Sequence, residues 1–125
     1  MPATLDTREE GRVLVFTLTD PWELSDLISL GMHSRMHMDR ASDKIYRVFD
    51  VRGTKKIPAG MSQATSLISF RHNRSAELVT VGSSAIASHF AGDRHFDSED
   101  EAWAYLRALI APPMEEPQPK QKRKR

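Results

Sequence analysis

Apolar positions fall in short blocks whose period alternates between that of a strand and that of a helix. Val13-Leu14-Val15-Phe16-Thr17-Leu18 is β-rich and apolar on both faces, and predicts a strand over 12–19 inside a sheet covered by helices. Ile45, Val48, Phe49 and Val51 predict a second core strand over 44–51, and Leu78-Val79-Thr80-Val81 a third, shorter one. Thr4 to Thr7 reads as an edge strand, turning at Glu9-Glu10-Gly11, and Arg94-His95-Phe96 as a last short strand. Between them the period lengthens. Leu24, Leu27 and Ile28 share a helical face behind Asp20-Pro21-Trp22-Glu23. There Asp20 suits the N-cap, Pro21 the first turn and Glu23 a capping box. The period blurs after Gly31, so that helix ends between Leu30 and Arg40. Met61, Ala64, Leu67 and Ile68 predict another helix. Ser83 and Ser84 cap a short helix through Phe90. Ser98-Glu99-Asp100-Glu101 opens a helix with the stripe Ala102, Leu106, Leu109 and Ile110, flanked by Trp103 and stopped by Pro112-Pro113. Strand and helix alternate, which predicts an α/β fold: a small, mostly parallel sheet of four to five strands flanked by about four helices.

Composition sets limits on this picture. The 125 residues suit one domain, predicted over 1–111. With no cysteine, disulfides, thiolate metal sites and a cysteine nucleophile are excluded, and a reducing compartment fits. No apolar run has the length of a membrane span and no leader opens the chain, so a cytoplasmic location is expected. The net charge of +1 is uneven: residues 112–125 carry five cations against Glu115 and Glu116, which leaves a slightly acidic body. The body therefore offers no electrostatic footprint for nucleic acid. The segment 112–125 is rich in Pro, Gln, Glu and Lys, cannot pack a core, and is expected to be a disordered basic tail. Its run of Lys120, Lys122, Arg123, Lys124 and Arg125 either solubilises the chain or makes weak, salt-sensitive contact with nucleic acid or anionic lipid.

Two stretches carry a family resemblance. One is Tyr46-Arg47-Val48-Phe49-Asp50-Val51-Arg52-Gly53 with Ile57-Pro58-Ala59-Gly60-Met61. The other is Leu78-Val79-Thr80-Val81-Gly82-Ser83-Ser84, followed by Phe96-Asp97-Ser98-Glu99-Asp100-Glu101-Ala102-Trp103-Ala104-Tyr105-Leu106. Their order and spacing resemble the STAS domain superfamily, the fold of anti-sigma-factor antagonists, and within it the divergent bacterial STAS-like proteins. The resemblance spans roughly residues 10–111. It implies a regulatory module for protein interaction or ligand sensing, without catalysis. In anti-sigma-factor antagonists the loop after the first of these strands holds an Asp-Ser pair whose serine is phosphorylated. Here Pro58-Ala59 fall in that place, so the resemblance implies a module without that switch. Thr54 and Ser62 flank the loop, but neither occupies the matching slot.

The residues themselves point to the same end of the sheet. In open parallel α/β sheets, ligands bind outside the carboxyl ends of the strands. Asp50, Arg52, Gly53, Thr54, Gly82, Ser83 and Ser84 should gather there, with a carboxylate, a guanidinium and backbone N–H groups at a helix start. The same residues also serve as ordinary turns and caps. The expected partner is a protein or a small anionic ligand, and a homodimer stays open. No cofactor, metal or catalytic residue is assigned. His33 and His37 are spaced as ligands on one helix, but a third ligand is missing, and solvent-facing histidines account for them. Met32, Met36 and Met38 around them read as core filler or as an adaptable binding face. A triad of Ser83, His95 and Asp97 can be written, but Ser83 lacks the Gly-x-Ser-x-Gly elbow of a hydrolase. The readings from other classes are a small enzyme or carrier using the same loops, and a nucleic-acid accessory protein acting through its tail.

Overall fold

The computed structural model describes residues 3–61, 72–90 and 92–110. β1 (Ala3–Arg8) and β2 (Val13–Thr19) form an antiparallel hairpin. There follow α1 (Leu24–Arg40), β3 (Ile45–Gly53), β4 (Ser75–Val81), a single-turn α2 (Ser84–Ala87) that tightens into a 3-10 turn at Ser88–Phe90, β5 (Arg94–Phe96) and α3 (Glu99–Ile110). The five strands lie in sequence order across one sheet, and every pairing after the hairpin is parallel. The fold is therefore the expected α/β sheet, with one antiparallel pair and three helices among the described residues instead of about four. The helix expected from Met61 onward falls outside the described residues except at Met61, which is helical.

The parallel strands step across the sheet in one direction, and α1 and α2 pack on the same face of it. That face holds the larger core, in which Leu14, Phe16, Leu18 and Phe49 of the strands meet Trp22, Leu27, Met38, Met61 and Phe90. Phe16 and Phe49 stack with centroids 4.4 Å apart, and Phe90 meets Phe49 edge-on at 5.2 Å. The smaller core lies on the other face, where Val13, Val15, Val48, Val79 and Val81 are covered by Ala102 and Leu106 of α3. β2 and β3 are apolar on both faces because both faces are covered.

Several boundaries differ from expectation, each for a local reason. α1 begins at Leu24, with Glu23 and not Asp20 at its N-cap. Asp26 accepts from the Glu23 N–H to complete the box, while Asp20 accepts from the Lys55 N–H at 2.7 Å. α1 then runs unbroken through Gly31 to Arg40, because its buried face continues through Gly31, Ser34 and Met38, and two of these three are not apolar signals. The hairpin turns at Glu9, Glu10 and Gly11, all at positive φ. In α3 Leu109 turns outward, 44% exposed, and the buried positions are Ala102 and Leu106. Ser98 caps α3 as expected, accepting from the Glu101 N–H.

Candidate functional site

β2, β3 and β4 end together at Thr19, Gly53 and Val81, and this rim brings the expected loop residues near one another. Strand alternation puts Asp50 and Arg52 on the same face of β3. Their side chains lock together: Arg52 Nε donates to Asp50 Oδ1 at 2.9 Å and Nη2 to Oδ2 at 2.7 Å, and the Arg52 backbone N–H also reaches Oδ1. Arg52 Nη2 further donates to Glu99 Oε1 at 3.2 Å, in the first turn of α3. Glu99 in turn accepts from Trp103 Nε1. Burial pushes the Asp50 carboxyl up, but the Arg52 hydrogen bonds and charge together outweigh it and hold the group below its ordinary value. The Arg52 guanidinium is held above its own already high value, first by the hydrogen bond to Asp50, against the pull of burial, and further by the charges of Asp50 and Glu99. The guanidinium therefore reaches the surface already paired to two carboxylates.

The other expected residues are drawn into the framework. Thr54 is buried. It donates to Leu18 O at 2.8 Å and accepts from Trp22 Nε1 at 3.0 Å, so its hydroxyl ties the end of β2 to the start of α1. Gly53 lies against Thr19, where a Cβ would sit 3.0 Å from the Thr19 hydroxyl. Gly82, at φ +132°, lies against the backbone of Val51 and Arg52, and an added Cβ would meet it at 3.1 Å. These glycines let neighbouring strand ends approach closely. Ser83 and Ser84 are exposed beside them. Ser83 stands at the N-cap of α2, but its hydroxyl makes no capping bond.

The remaining candidates are dispersed. His37 Nε2 donates to Gly11 O at 2.8 Å, tying α1 to the hairpin, while His33 is exposed. Among the described residues no group of three His, Asp or Glu side chains is placed to hold a metal. His95 pairs with Thr80 and not with Ser83: Nδ1 lies 2.9 Å from Thr80 Oγ1, and Nε2 3.4 Å from Asp97 Oδ1. Thr80 is 2% exposed, so its hydroxyl cannot meet a substrate in this conformation. Pro58 and Ala59 lie in the loop after β3, while Ser62 and the basic tail fall outside the described residues. Among the described residues no helix is long and apolar enough to cross a membrane.

Sequence reasoning missed two features. Glu99 joins the Asp50–Arg52 pair from 47 residues away, which only the topology brings about. Arg47 lies inside the larger core face, 4% exposed and hydrogen-bonded to Ser75 Oγ, where burial lowers its pKa against the opposing charge of Asp93. Alternation along β3 marks position 47 as inward-facing, but an arginine there hides the signal. Comparison with protein-family models, curated proteins and solved structures returned no match.

Proposed function

We propose that this chain is a STAS-like, non-enzymatic regulatory module that binds a protein partner at the strand-end rim formed by Asp50–Gly53 and Gly82–Ser84. The family reading draws support from the sheet order, the single direction of winding and the spacing of motifs around β3 and α3. The observation that carries the binding reading is the Asp50–Arg52–Glu99 network. Its central guanidinium is ordered before any partner arrives and remains 46% exposed. An arginine fixed in this way loses less side-chain freedom on binding than a free one. Its charge is already balanced by carboxylates, so the rim suits a protein surface of mixed polarity better than a small anion.

The test starts from a partner captured by the purified chain and proceeds by titration. Arg52→Ala and Ser83→Trp are expected to weaken that partner about tenfold each, the scale of a moderate interface contact. Wild-type affinity in both variants, with normal melting, would remove the partner from this rim.

A further inference from the structure

We propose that the outer edge of β1, together with the groove between β1 and α1, binds an extended peptide segment of a partner protein, one that presents a leucine-like side chain and a carboxylate two residues apart. This surface lies at the hairpin end, away from the strand-end rim, and does not depend on the reading given for that rim.

Three observations converge on it. β1 is the first strand of the sheet, and among the described residues nothing pairs with its outer edge. Asp6, Thr7 and Arg8 are exposed along it. An unpaired edge offers a row of N–H and C=O groups that a partner strand can complete. Beside this edge, on the α1 face, lies an open groove of about 280 Å³ floored by Leu5, Leu14 and Met36 and walled by His33, His37 and Arg40. It continues into a second groove of about 380 Å³ that shares His37 and Arg40, runs past Gly11, Arg12 and Ser42, and carries the carboxylates of Glu10 and Asp43, so the carboxylate-free stretch is the one beside β1. Met36 in this lining is 48% exposed and offers an adaptable apolar contact.

Charge selects the occupant. The first groove is lined by an arginine and two histidines and by no carboxylate. Arg52 at the rim is paired twice, whereas the Arg40 guanidinium makes no hydrogen bond or ion pair among the described residues. A strand added to β1 turns alternate side chains toward α1. Residues two apart would then place one apolar group over Leu5 and Met36 and one carboxylate against Arg40, whose planar fork suits bidentate pairing with a carboxylate.

The probe is the blocked hexapeptide Thr-Thr-Leu-Thr-Glu-Thr, titrated into the full chain and followed by amide NMR shifts. Saturable shifts are expected along residues 4–8 and 33–40. Replacing the peptide glutamate by lysine should weaken binding at least fivefold, and Arg40→Glu should invert that preference. A proline at the peptide's central threonine, which removes one backbone donor, should abolish binding. Arg40 is exposed, so its variant is expected to fold normally, which circular dichroism checks. The absence of saturable shifts up to about 5 mM, near the weak limit of specific binding, would overturn the proposal. So would indifference to charge at Arg40, or shifts confined to the rim. Shifts at β1 that follow dilution of the chain alone would assign the edge to a second copy and overturn the peptide reading.

Discussion

Thr54 lies beside the ion network but serves the fold. Its hydroxyl satisfies the Leu18 carbonyl and the Trp22 indole at once, in a buried setting. Thr54→Val keeps the shape and strands both partners, so a loss of about 1–3 kcal/mol is expected, with rim binding unchanged once folded; urea unfolding measures the first and titration the second. Gly82→Ala acts through the backbone. Its φ of +132° and the 3.1 Å approach to Val51 and Arg52 leave no room for a Cβ, so a cost of about 1–3 kcal/mol is expected in the same assay. Asp50 adds a pH dependence. A carboxyl held down in the folded state stabilises the fold above the unfolded pKa, about 3.9, and loses that contribution as pH falls through its folded value. In Arg52→Met burial acts alone and raises the folded value, so the same group opposes folding at neutral pH and is relieved in acid. The melting temperature of the wild type should exceed that of the variant at pH 7, and the gap should shrink between about pH 5 and 3. A gap that stays constant across that range would show that Asp50 and Arg52 are not coupled in solution. The Asp50–Arg52 half of the network could be read from the chain, because side chains two apart on a strand share a face. Glu99 could not, because no local signal joins positions 47 apart.

At the scale of elements, α1 shows why a period can fade where a helix does not. Leu24, Leu27, Gly31, Ser34 and Met38 follow one another at three- and four-residue steps along one side. Gly31 and Ser34 are both buried on this side, and the Ser34 hydroxyl donates to Gly31 O, so a polar residue sits inside at little cost. Hydrophobicity sees a gap where the buried face continues through small residues. Ser34→Ala is therefore expected to change stability by less than about 1 kcal/mol, and Ser34→Leu to cost about 1–3 kcal/mol by overpacking, both measurable by thermal melts. The start of α1 was misread for a different reason. Asp20 has every local mark of a cap, but the Lys55 N–H lies within its reach, and that contact comes from the loop after β3. The strands were legible where both faces are apolar, as in β2 and β3. β4 extends back to Ser75, where Ser75-Ala76-Glu77 carries little strand signal and pairing with β3 decides.

At the scale of the molecule, alternation of strand and helix was enough to foresee a mostly parallel sheet, since each parallel step needs a crossover. Alternation does not say which strand neighbours which. Strands laid down in sequence order go with α1 and α2 on one face, and α3 closes the other. The two cores so formed draw on residues from Ala3 to Ile110. Beyond them, residues 112–125 offer Met114 as their one large apolar side chain, among four prolines and seven charged groups. A segment of that composition has little surface to bury against either core, and burial is what gives a docked segment its stability. Deleting residues 112–125 is therefore expected to leave the melting temperature within about 2 °C, because a change below roughly 0.5 kcal/mol moves a domain of this size no further. If the basic run instead contacts nucleic acid or anionic lipid, the same deletion should abolish salt-sensitive retention on heparin while the melt stays put. A fall of many degrees on deletion would mean that the tail packs on the body and that the domain does not end near residue 111.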